Sequence, residues 1–173
     1  RYDLKDREPV PALLLAACFG AAGMWLAGLV QLVIMRELGD FAVNNWTLCM
    51  SAAAAVTEEV AKFCAIVMVI GLRPRWFNDP LDGLGAGMLE SMFLLGSRSS
   101  GFLPATEPVR LAGHLVMGGI GGFGIAYLKL GRRGWKPRLA SGLAWAIGLH
   151  FAWDVVAFDA AARGEMTPGH TVG

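Results

Sequence analysis

Apolar residues run along this chain in long stretches at roughly 11–35, 43–72, 82–97, 108–130 and 139–159, and none of these stretches shows the alternation of a half-buried strand. A segment that is apolar on all sides belongs to a helix in lipid or deep in a core, and about 20 residues suffice to span the hydrocarbon layer. Four of the five stretches reach that length. The third is short and opens with Gly83, Gly85 and Gly87, which predicts a partial or kinked crossing.

Turn chemistry separates the stretches: Arg73-Pro-Arg-Trp-Phe-Asn-Asp-Pro80, Ser97-Arg-Ser-Ser-Gly-Phe-Leu-Pro104 and Gly131-Arg-Arg-Gly-Trp-Lys-Pro137. Proline and glycine end helices at such places. No linker divides the chain, so we expect one all-α domain over residues 1–173, a polytopic transmembrane bundle with about five segments. The start at Arg1 rather than Met leads us to expect further helices upstream, and no signal peptide is visible.

Composition agrees with a bilayer. Hydrophobic residues make up 55% of the chain and charged ones 17%, with a mean hydropathy of +0.50, whereas soluble domains carry about 25% charged residues. A net charge of +1 without a basic face excludes nucleic acid as the main partner. With the N-terminus on the cytoplasmic side, that side gathers Arg1, Lys5, Arg7, Arg73, Arg75, Lys129, Arg132, Arg133, Lys136 and Arg138. The far side holds only Arg36, Arg98, Arg110 and Arg163. This bias predicts a multi-pass protein of the cytoplasmic membrane. Cys18, Cys49 and Cys64 have no metal-ligand spacing and read as small buried hydrophobes.

Against this background the ionisable residues inside the apolar stretches stand out. Thr57-Glu58-Glu59-Val-Ala-Lys62 lies in the second, Glu90 in the third, His114 in the fourth, and His150-Phe-Ala-Trp-Asp154 in the fifth. A lone charge at the centre of a membrane helix costs about 2.5–3.5 kcal/mol on insertion scales. Several segments carrying such groups to mid-membrane depth predict one shared buried site, where the groups satisfy one another or meet water. The glycines of Gly113-His-Leu-Val-Met-Gly118-Gly-Ile-Gly-Gly122-Phe-Gly124 read as a packing face.

On a helix Lys62 reaches Glu58 or Glu59 and offsets one charge, which leaves the other carboxylate for chemistry. A carboxylate so placed can act as a general base on water, or the group can be a buried ion pair that only fixes packing. His150 and Asp154 share a helical face, so the aspartate can orient the imidazole or both can join a metal shell. His114, about one and a half turns into its segment near the far side, suits an oxyanion donor, a metal ligand or a helix contact. His170, in the polar tail, is expected to be silent. The set suits intramembrane peptide hydrolysis and equally a proton relay in a transporter.

Four stretches together resemble the PrsW family of intramembrane proteases, within the wider group of CAAX prenyl protease-like membrane enzymes. They are Tyr2-Asp-Leu-Lys-Asp6-Arg-Glu8-Pro9 before an apolar helix with Phe19-Gly20, Glu58-Glu59-Val-Ala-Lys62, Asp82-Gly83-Leu-Gly85-Ala-Gly87-Met-Leu-Glu90, and His150-Phe-Ala-Trp-Asp154 preceded by Arg110-Leu-Ala-Gly-His114. Phe63 separates the second motif from the Glu-Glu-x-x-x-Arg of the prenyl proteases, and Ala86 stands where the family has phenylalanine.

The resemblance implies a protease that cuts single-pass membrane substrates such as anti-sigma factors, by chemistry described both as metal-dependent and as glutamate-based. We expect Glu59 or Glu58 to activate water and His150, oriented by Asp154, to stabilise the oxyanion. Lys62 is expected to tune the glutamates, with Glu90 and His114 in supporting roles. No cofactor is certain from the sequence; zinc, if present, would use Glu59, His114, His150 and Asp154. The rival class is a proton-coupled transporter built on the same acids.

Overall fold

The computed structural model describes residues 10–73, 75, 107–131 and 133–162. Among these residues there are four helices and no strand: α1 (Val10–Asn44), α2 (Trp46–Leu72), α3 (Glu107–Lys129) and α4 (Trp135–Ala162). The fold is all-α and of membrane type. Four of the five predicted segments are thereby accounted for, and the glycine-rich segment 82–97 lies outside the described residues.

Helix α1 extends past the predicted end at residue 35. Arg36 and Glu37 interrupt the apolar stretch but, like Leu38, are good helix formers, so the helix continues through them. It breaks only at Gly39, whose φ of 51° and ψ of −128° suit a residue without a Cβ. Asn45 closes the helix by donating from both its backbone N and its Nδ2 to the Phe41 carbonyl, each at 3.1 Å. Helix α4 begins before the predicted residue 139, because Pro137 falls in its first turn, where a backbone N–H has no helical partner to lose. Between α3 and α4, Gly131 at φ 59° and Gly134 at φ 76° make the turn that the sequence placed there.

Helix α2 is central: α1 packs along it, and both α3 and α4 pack against it and against each other. The α1–α2 contact is apolar and includes Ala16 beside Ile66 and Val69, and Met24 and Ala27 beside Ala61, which Gly23 also faces. The α3–α4 contact is tighter still. A Cβ on Gly124 would lie 3.2 Å from the Arg138 carbonyl oxygen, and one on Gly142 would lie 3.1 Å from that of Ile120. Small residues that let backbones approach closely are the usual adhesive between helices in lipid.

Polarity is distributed opposite to that of a soluble domain. Trp25 and Val156 are 72% and 68% exposed, while Glu58, Glu59 and Lys62 are each 3% exposed. Lipid as the outer solvent accounts for both facts. The cysteines follow the same logic. Cys18 and Cys64 face outward instead of lying buried as expected, because an outer surface in lipid accepts a small apolar thiol. Two of the described helices, Leu14–Asn44 and Trp135–Ala160, are by themselves long and apolar enough to cross a membrane. Helix α2 holds three central charges, and α3 combines glycines with His114.

Candidate functional site

Helix α2 advances about 100° per residue, so its adjacent glutamates cannot share one environment. Glu59 takes two hydrogen bonds on the same oxygen. Lys62 donates to its Oε1 from one turn on, at 2.5 Å, and His150 Nδ1 of α4 lies 2.8 Å from that atom. Glu58 instead accepts on Oε1 from the Gln31 amide of α1 at 3.2 Å, and its Oε2 lies 3.8 Å from His150 Nε2.

His150 is therefore the hub of the cluster. Nδ1 meets Glu59, while Nε2 faces both Glu58 and Asp154, whose Oδ2 is 3.4 Å away one helical turn further along α4. With Nδ1–H given to Glu59, Nε2 holds its lone pair toward two carboxylates, the arrangement by which an acidic partner fixes the tautomer of a metal-binding histidine. His114 comes from α3. Its ring stands edge-on to that of His150 with centroids 4.7 Å apart, and its Nδ1 is 3.3 Å from Lys62 Nζ. His114 and His150 are 2% and 1% exposed.

One ligand atom each from Glu58, His114 and His150 lie within 4.8 Å of one another, all buried, so these three residues are able to hold a metal ion. The charges around them fit a cation. Glu58, Glu59 and Asp154 all face His150, while Lys62 pairs with Glu59, and carboxylates gathered in a buried place suit a cation. One carboxylate and two imidazoles are also the donor types of catalytic zinc sites that keep a position open for water.

The structure thus gathers six residues that the sequence singled out: Glu58, Glu59, Lys62, His114, His150 and Asp154. Glu90 and His170 lie outside the described residues. His114, two turns into α3, sits inside the cluster. One detail differs from expectation: the carboxylate grouped with the two imidazoles as a possible metal ligand is Glu58, whereas Glu59 is taken up by Lys62 and His150 Nδ1. Gln31 and Thr57 were missed. Their signal was present, since Gln31 interrupts the apolar run Leu29-Val-Gln31-Leu-Val, and it is 6% exposed.

The fold and the site define an all-α membrane-type protein with an acid–imidazole cluster at its centre. Residues 8–92 match the family model described as PrsW family intramembrane metalloprotease, so the chain is similar to that family over this part. The matched part includes α1, α2 and the Glu58-Glu59-Lys62 motif, while His114, His150 and Asp154 reach the same cluster from beyond it. No curated protein and no solved structure matches the chain.

Proposed function

We propose that the chain is a metal-dependent intramembrane endopeptidase that cuts single-pass membrane proteins, anti-sigma factors being the type of substrate that the family resemblance implies. The carrying observation is the buried set of Glu58, His114 and His150 with Glu59 bonded to the far nitrogen of His150. The whole chain works as one multi-pass domain in the cytoplasmic membrane, with its N-terminus on the cytoplasmic side.

Glu58, His114 and His150 would hold a divalent ion, zinc by donor type. When bound, such an ion polarises the scissile carbonyl and makes water a better nucleophile at neutral pH. The chain's own residues do the rest. Glu59 is anchored through Oε1, so Oε2 takes the proton from the attacking water and returns it to the amide nitrogen as the C–N bond breaks. Lys62 offsets the charge of Glu59 in the low-dielectric interior. In the loaded site it serves Glu59 alone, because His114 cannot give one lone pair to both a metal and the ammonium. His150 keeps its Nδ1–H on Glu59, and Asp154, whose Oδ2 is 3.4 Å from Nε2, is a further carboxylate beside the nitrogen that would face the ion.

The test is cleavage of a single-pass substrate by the purified protein in detergent, comparing wild type, Glu58→Gln and Glu59→Gln with and without a strong chelator. Both substitutions are expected to lower the rate by about 10²–10⁴-fold, and chelation to stop the wild type until zinc is restored. Cleavage that survives chelation would make the enzyme glutamate-type. Ion flux in proteoliposomes without cleavage of any substrate would favour a proton relay instead.

A further inference from the structure

Glu58 differs from its neighbour in being held by a neutral group. Gln31 of α1 donates from Nε2 to Glu58 Oε1 at 3.2 Å and to Thr57 Oγ1 at 3.0 Å. The Thr57 hydroxyl spends its own hydrogen on the Ala53 carbonyl at 2.7 Å, so toward Gln31 it can only accept. Both amide hydrogens of Gln31 are thus committed, which fixes the orientation of the amide. Glu58 Oε1 is thereby tied to α1, and its Oε2 lies 3.8 Å from His150 Nε2.

We infer that Gln31 is a positioning residue that aims the Glu58 carboxylate at the metal site without cancelling its charge, with Thr57 holding Gln31 in place. An ammonium in the same position, such as Lys62 provides for Glu59, would compete with a cation for the carboxylate. An amide orients the carboxylate and keeps its negative charge available, which is how outer partners of metal ligands commonly act. Gln31 lines a cavity of about 840 Å³ between α1 and the start of α2, together with Met24, Trp25, Met35 and Met50. Without the amide, the Glu58 carboxylate loses the bond that ties its Oε1 to α1. The inference rests on the metal-dependent reading proposed above.

Zinc affinity tests it without reference to turnover. The full chain, purified in detergent, is titrated with zinc against a chromophoric chelator, together with Gln31→Met, Thr57→Val, Thr57→Ser and Glu58→Gln. Gln31→Met keeps the length of the side chain and loses the donor, and it is expected to weaken zinc binding about 10–100-fold. Thr57→Val should weaken it less, and Thr57→Ser, which restores the acceptor, should bind as wild type does. A role limited to joining two helices would lower the melting temperature and leave zinc affinity unchanged, and that result in Gln31→Met overturns the inference. Should Gln31→Met not fold, Thr57→Val decides in the same way, equal affinity to wild type being the overturning result. Absence of zinc binding in wild type, or equal binding by Glu58→Gln, overturns the metal reading itself and this inference with it.

Discussion

Helix α2 meets the rest of the molecule along two seams of different chemistry. Toward α1 the contact is apolar, crossed by the Gln31–Thr57–Glu58 hydrogen bonds and flanked by cavities of about 460 and 840 Å³. Toward α3 and α4 it is a closed polar cluster of Glu59, Lys62, His114 and His150, each no more than 3% exposed. Both seams lie at the same height, since Glu58 and Glu59 are consecutive. The difference shows how one turn of helix can present one carboxylate to a neutral donor and the next to charged partners. Glu58 stands where the two seams meet, accepting from Gln31 on one side and facing His150 on the other.

The largest effect should come from the hub of the polar seam. His150→Gln removes the ring that touches Glu59, Glu58 and Asp154 at once, and we expect cleavage to fall by about 10³-fold or more. On the other seam, Gln31→Met should cost cleavage no more than the about 10–100-fold expected for a partner that acts through a ligand. Rate measurements on matched amounts of folded protein check both. Comparable losses from the two would erase the distinction between a seam that carries chemistry and one that orients it.

Stability sharpens the contrast in a second way. Lys62→Met leaves Glu59 buried with an imidazole as its remaining partner, and breaking a buried ion pair from one side costs about 3–5 kcal/mol. The double substitution Lys62→Met with Glu59→Gln should recover part of that loss, because the orphaned charge is gone. Unfolding titrations in detergent measure both. Glu58→Gln, whose donor is a neutral amide, should cost less than Lys62→Met. A larger loss from Glu58→Gln would mean that the α1 seam carries the greater electrostatic load.

Much of this arrangement was legible in the sequence, for specific reasons. An apolar run interrupted by Glu58, Glu59 and Lys62 has few explanations in lipid, so the helix and its polar face were both readable from residue types. The helical spacing limited Lys62 to one of two glutamates but could not choose, because positions three and four away are both within reach. The choice of Glu59 goes with its contact to His150, 91 residues away. His114 was underrated because its depth in a segment was visible while the neighbour it would face was not. Gln31 was overlooked because a single amide in an apolar helix weighs little until its acceptors, 26 and 27 residues on, are brought beside it. The end of α1 was misread because charge was taken as loop, although Arg36 and Glu37 sustain a helix wherever its end leaves the apolar layer.

The smallest expected effect tests why the polar seam is closed and the α1 seam is not. Gly142 sits where α4 crosses α3, and a Cβ there would stand 3.1 Å from the Ile120 carbonyl oxygen, a backbone atom that cannot turn aside. Gly142→Ala should therefore part the two helices slightly and cost about 1–3 kcal/mol, as overpacking commonly does. Because His114 and His150 come from those same helices, zinc affinity should fall with it. Gly23 holds the corresponding place between α1 and α2, but a Cβ there would meet the Ala61 side chain at 3.4 Å, an ordinary contact. Gly23→Ala should be close to neutral, with the gain in helix propensity offsetting the small crowding. Unfolding and zinc titrations on the two variants form one experiment. If they behave alike, the closeness of α3 to α4 is not what brings the two imidazoles together, and the cluster must owe its shape to its own hydrogen bonds.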